Sequence, residues 1–199
     1  MTDLPPFSAG MRIGLYGGSF NPPHAAHVLI SKTALRRLQL DRVWWLVTPG
    51  NPLKDRDDLA PLEERLALAR EMIDDRRIAA TGIESTLGTH YTMDTLKALT
   101  RRCADVRFVW LMGADNLAQF HRWKDWRRIA ETLPFAVFDR PGYARRALNG
   151  QAALTLARHR IDESDAPVLA SLDPPAWVFI HGPRSPLSSS AIRAKSAGK

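Results

Sequence analysis

The chain alternates short apolar runs with longer stretches in which apolar residues recur every third or fourth position. "MRIGLYG" (11–17) is an apolar run closed by glycine, which predicts a buried strand. From His24 to Leu40 the pattern turns helical, with Ile30, Ala34 and Leu38 at spacing four. "RVWWLVTP" (42–49) is apolar on both faces, as a central parallel strand would be. Pro61 opens the next helix, with Glu63 and Glu64 in its first turn and Leu62, Leu66, Ala69 and Ile73 along one face. "RIAATGIE" (77–84) predicts a third strand, and 91–102 a helix carrying Met93, Leu96 and Leu99.

Three further runs, "VRFVWLMG" (106–113), "PFAVFDR" (134–140) and "AWVFIHG" (176–182), continue the alternation, with a helical piece at 123–132. Strands alternating with helices imply crossover connections. The expectation is an α/β fold: a doubly wound, Rossmann-like parallel sheet with helices on both faces. Such sheets bind ligands at the carboxyl ends of their strands, where strand order reverses. Segment 143–175 is less regular, with a helical half (145–160) and then the acidic, proline-bearing connection "DESDAPVLASLDPP". The 199 residues suit one domain, with 1–10 and 196–199 expected as loose termini.

Composition narrows the classes. No apolar run approaches the ~20 residues of a membrane helix, and the N-terminal stretch lacks the pattern of a signal peptide. No membrane association and a cytoplasmic location are expected. One cysteine, Cys103, excludes an internal disulfide and a cysteine-rich zinc site. The net charge of +7 raises nucleic-acid binding. Against it, the pairs Arg36-Arg37, Arg76-Arg77 and Arg101-Arg102 each end a stretch that reads as a helix, where cations complement the helix dipole. A positive field also steers any anionic metabolite.

The chemistry concentrates in "GGSFNPPHAAH" (17–27), where the first strand runs into the first helix. Gly17 and Gly18 allow a sharp turn and close approach to a ligand, while Pro22 and Pro23 stiffen the loop. Outward amides and the helix N-terminus make an anion site. His24 and His27, at i and i+3, share one side of the first turn and can hydrogen-bond a phosphoryl group. Taken alone, the pair is equally a surface feature or half of a metal site, though few further ligands remain.

The whole string resembles the G-x-F-[D/N]-P-x-H-x-G-H signature of the Rossmann-like nucleotidyltransferase superfamily, and "PLSSSAIR" (186–193) resembles its second signature, I-S-S-T-x-I-R. Asn21 stands where many relatives have Asp, Ala26 replaces a glycine, and Ser190 replaces threonine. Between the signatures, "TPGNPLK" (48–54), "THYTMDTL" (89–96), "MGADNLAQFHRWKDW" (112–126) and "FDRPGY" (138–143) resemble the bacterial nicotinate-nucleotide adenylyltransferase family.

That resemblance implies attack of the 5′-phosphate of nicotinate mononucleotide on the α-phosphorus of ATP, with pyrophosphate leaving and no covalent enzyme intermediate. His24, His27, Lys54 and Arg193 would act on the phosphates. Gly17, Gly18, Ser19 and Phe20 would offer backbone contacts, Ser189 and Ser190 would meet the β- and γ-phosphates, and Asp115 a ribose hydroxyl, unless Asp115 caps a helix instead. Trp123 would stack on the pyridine ring. Amides around Thr89, Tyr91, Thr92 and Lys124 would receive the nicotinate carboxylate, helped by Arg140. Lys124 stands where many relatives carry an aromatic. Mg²⁺ would come with ATP, held mainly by phosphates and not by a protein metal site. Nicotinamide mononucleotide or phosphopantetheine as acceptor remains open, as do a basic nucleic-acid-binding module and a homo-oligomer built through 143–175.

Overall fold

The computed structural model describes residues 4–50, 59–89, 91–182, 187, 189, 192 and 193. The strands are β1 (Arg12–Gly18), β2 (Arg42–Val47), β3 (Ile78–Thr81), β4 (Arg107–Gly113), β5 (Phe135–Phe138) and β6 (Trp177–Ile180). Every pairing is parallel, in the order β3-β2-β1-β4-β5-β6. Strand order reverses between β1 and β4, so a crevice opens beyond their carboxyl ends. This is the doubly wound sheet that the alternating pattern predicts.

The helices are α1 (Ala25–Arg37), α2 (Leu62–Met72), α3 (Ile83–Leu87), α4 (Thr92–Arg102), α5 (Ala114–Leu117), α6 (Trp126–Thr132), α7 (Ala144–Leu148) and α8 (Gln151–Thr155). Tighter 3-10 turns occupy Phe120–Arg122, Ala157–His159 and Glu163–Ser171. The sheet has an apolar core on each face. On one, Ile13, Leu15 and Trp44 pack with Met93, Leu96 and Leu99 of α4 and Ile129 of α6. On the other, Val43, Trp45 and Val47 pack with Ile30 and Ala34 of α1 and Leu66 of α2. Neighbouring tryptophans 44 and 45 thus enter opposite cores, because successive strand residues face opposite ways.

Several expectations change. The third strand stops at Thr81, and Gly82 caps α3, so Glu84 lies on a helix and not in the sheet. Arg36-Arg37 and Arg101-Arg102 do end helices. Arg76-Arg77 does not: α2 has already ended at Met72, and Arg77 instead pairs with Asp75 at 2.7 Å in the turn before β3. The helical half of 145–160 is broken at Asn149 and Gly150 into α7 and α8, and the connection expected to be irregular forms the 3-10 stretch Glu163–Ser171 around Pro167. The N-terminal residues are docked rather than loose from position 4 on. Phe7 meets Trp44 edge-on at 6.0 Å, and the Gly10 amide donates to the Asp105 carbonyl at 2.8 Å. Residues 196–199 lie outside the described residues.

Candidate active site

At the carboxyl ends of β1 and β4 lies a cavity of about 430 Å³. Gly17, next to the last residue of β1, packs against the Trp110 ring: a Cβ there would sit 2.6 Å from the indole, so only glycine lets strand and ring approach. Phe20 adopts φ 47, the left-handed region that costs a non-glycine residue free energy. Burial of its ring offsets that cost. The ring is 1% exposed, stacked on Trp45 at 4.9 Å and against His27 at 4.6 Å.

His24 caps α1, and its ring stacks on that of His27 with centroids 3.8 Å apart, as the i, i+3 spacing predicts. A column of four rings therefore runs from His24 through His27 and Phe20 to Trp45. The His24 amide donates to Nδ1 of His27 at 3.1 Å, which leaves Nε2 to carry that ring's proton. Burial, with the charge of Arg140, lowers the His24 pKa from 6.5 to about 4. His27 is pushed well below its ordinary value by burial, by His24 and by Arg140. Both rings are neutral near pH 7. Each ring thus offers an N–H rather than a fixed positive charge, and His24 Nδ1 is buried with no protein partner among the described residues.

The first loop meets the segment that carries Ser189 and Arg193. Ser189 Oγ donates to the Pro22 carbonyl at 2.9 Å, and an Arg193 guanidinium N–H donates to the Asn21 carbonyl. Arg193 is thus tied to the first loop. Asn21 Oδ1 in turn accepts from the Ala60 amide at 3.3 Å.

On the β4 side, Asp115 is the second residue of α5, whose cap is Gly113, so the helix-cap alternative for Asp115 falls away. Its carboxylate pairs with Arg140 at 3.5 Å, and both face the cavity. Trp123, half-buried, ends the turn after Phe120 and contacts Phe120 and Trp110 edge-on. It lines the cavity with Tyr91, Thr92 and Lys124. Trp126 is the buried core residue of the pair. Thr89 sits behind this wall, its hydroxyl 2.8 Å from that of Thr95 and its amide donating to the Glu84 carbonyl at 3.0 Å. Lys54 and Ser190 lie outside the described residues.

Pattern reading missed two residues. Arg65, 1% exposed, donates from Nε to the Ala60 carbonyl at 2.7 Å and from Nη1 to the carbonyls of Ser19 at 2.7 Å and Thr48 at 2.8 Å. It ties the glycine loop to the ends of the segment that follows β2. Its signal was a charge on the apolar stripe of α2, between Leu62 and Ala69. The second is Glu84, whose carboxyl lines the cavity and is held by the hydroxyls of Thr48 and Thr95; burial raises its pKa from 4.5 to about 7. Among the described residues no group of three or more His, Cys, Asp or Glu side chains could hold a metal ion. Nor is any helix among them long and apolar enough to cross a membrane.

A family model described as cytidylyltransferase-like matches residues 15–195. A protein of Methylorubrum extorquens, named "Probable nicotinate-nucleotide adenylyltransferase", is 60% identical over 185 residues, covering 93% of this chain and 100% of its own. The chain belongs to the nicotinate-nucleotide adenylyltransferase family. A relative of the same name from Rhizobium meliloti is 55% identical over 94% of this chain and 100% of its own. The family's fold recurs in solved structures. The nicotinic acid mononucleotide adenylyltransferase of Plasmodium falciparum, complexed with NaAD, superposes with TM-score 0.68 at 19% identity, covering 92% of this chain and 83% of its own.

Proposed function

We propose that the protein transfers the adenylyl group of ATP to nicotinate mononucleotide, giving deamido-NAD and pyrophosphate. The observation that carries this is the closure of the two signature segments on one another, Ser189 on Pro22 and Arg193 on Asn21, around a stacked pair of neutral histidines. Such a transfer asks little covalent work of the protein; positioning and charge stabilisation dominate. His24 and His27 offer N–H donors to phosphoryl oxygens, and His27, locked in the ring column, meets the α-phosphoryl as its charge grows. Arg140 and Arg193 supply positive charge across the cavity. The resemblance adds Lys54 on the triphosphate, Ser190 on the β- and γ-phosphates and Asp115 at a ribose hydroxyl.

The part of the cavity lined by Trp123 and Tyr91, where α4 begins, suits a flat ring bearing an anion. Magnesium with ATP fits this donor set. Asp115 is engaged by Arg140 and Glu84 by two hydroxyls, leaving the ion to phosphates and water. A cytoplasmic setting goes with this reading.

The test is pyrophosphate release from ATP and Mg²⁺ with nicotinate mononucleotide, nicotinamide mononucleotide and phosphopantetheine compared side by side, and His27→Ala alongside. The expected result is preference for the nicotinate substrate and a loss on the order of 10²- to 10³-fold in the variant. Activity with phosphopantetheine alone overturns the acceptor.

A further inference from the structure

Lys124 lines the part of the cavity walled by Tyr91 and Trp123. It directly follows Trp123, and directly precedes Asp125, which adopts φ 56 at the cap of α6. The left-handed residue turns the chain sharply, and the Lys124 side chain lies back over the Tyr91 ring, its Nζ 4.0 Å from the ring centroid. Tyr91 itself caps α4 without a side-chain hydrogen bond, at the positive end of that helix. Tyr91, Thr92, Trp123 and Lys124 all line the same cavity. Among the described residues no carboxylate lies within ion-pair distance of Lys124.

Nicotinate and nicotinamide differ at one position by a full negative charge. Backbone amides already favour the acid, because both carboxylate oxygens accept hydrogen bonds whereas the carboxamide offers one oxygen and a donating NH2. A cation distinguishes them strongly: it attracts the acid and gains little from the amide. An ammonium resting on a partly exposed aromatic face is held loosely, so it can leave the ring for a carboxylate at small cost. The π face also keeps the charge near the site in the absence of ligand.

We propose that the Lys124 side chain, parked on Tyr91 beside Trp123, selects a carboxylate-bearing mononucleotide over its carboxamide. This rests on the acceptor reading given above and deepens it.

The experiment is steady-state kinetics of the full chain with ATP and Mg²⁺, using nicotinate and nicotinamide mononucleotides, for the wild type, Lys124→Met and Lys124→Arg. In Lys124→Met the acid-to-amide ratio of kcat/KM falls about tenfold, carried by KM for the acid, as expected for one lost charge-assisted contact. Lys124→Arg restores most of the ratio, and added salt lowers it in the wild type but little in Lys124→Met. Lys124 is exposed, so the variants fold; a thermal melt checks this. An unaltered ratio in Lys124→Met, or equal losses for acid and amide, overturns the assignment while leaving the transferase reading intact. No pyrophosphate from wild type with either mononucleotide overturns both.

Discussion

Replacing Arg65 by methionine removes a guanidinium that reaches three backbone carbonyls, at 2.7, 2.7 and 2.8 Å, on segments far apart in sequence. Each hydrogen bond from a charged donor contributes about 1.5–3 kcal/mol, which gives a gross loss of several kcal/mol. Two effects reduce it. Burying the charge of Arg65, which lowers its pKa, is itself costly, and the methionine chain keeps much of the apolar stem in place. A net loss of about 2–4 kcal/mol in unfolding free energy is expected. Because Ser19 and Thr48 both border the cavity, kcat/KM for ATP falls a further ~10- to 100-fold through misplacement of the loop. Arg65→Lys keeps the charge but cannot span the three carbonyls, and gives an intermediate loss of both. Urea unfolding and ATP kinetics on the two variants provide the check. A methionine variant within about 0.5 kcal/mol of wild type refutes the energetic reasoning. A destabilised variant with wild-type ATP kinetics refutes the link from Arg65 to the site.

Gly17→Ala places a methyl 2.6 Å from the Trp110 ring, and overpacking of this kind costs about 1–3 kcal/mol; a lower thermal midpoint is the readout. Trp123→Ala raises KM for the mononucleotide at least about tenfold with a much smaller effect on KM for ATP, read by varying each substrate separately. Glu84, its pKa raised by burial, holds its proton when folded up to about pH 7 and when unfolded only to about 4.5. It therefore favours folding at low pH, and that contribution is lost as pH rises through this window. His24, lowered from 6.5 to about 4, acts with the opposite sign, losing stability as pH falls. In Glu84→Gln the opposing contribution vanishes, so stability falls more steeply on acidification from pH 7 to 4.5 than in wild type. A difference between the two proteins that does not vary with pH contradicts this.

The sheet was legible because each strand is a compact apolar run and each long helix carries a stripe. α4, with Met93, Leu96 and Leu99 buried along one face, is the clearest case. Helices of four or five residues show no such period. The sequence pattern therefore merges α3 into the end of a strand and α7 with α8 into one longer helix, and it touches α5 only through the alternative that Asp115 caps a helix. The histidine pair was legible from its spacing and its place after β1. Its electrical neutrality was not, since that depends on burial and on Arg140, far away along the chain. Arg65 and Glu84 escaped for a related reason: their meaning lies in Ser19, Thr48 and Thr95, brought to them only by the folded sheet. The contact between Ser189 and Pro22 likewise joins segments whose relation the sequence carried only as a resemblance.

The most direct test of the central claim follows the fate of the α-phosphate. With ATP radiolabelled at that position, nicotinate mononucleotide and Mg²⁺, the label moves into a dinucleotide, deamido-NAD, in step with unlabelled pyrophosphate, and His27→Ala slows both together. Label recovered as AMP, or left in ATP with every acceptor offered, contradicts adenylyl transfer at this site.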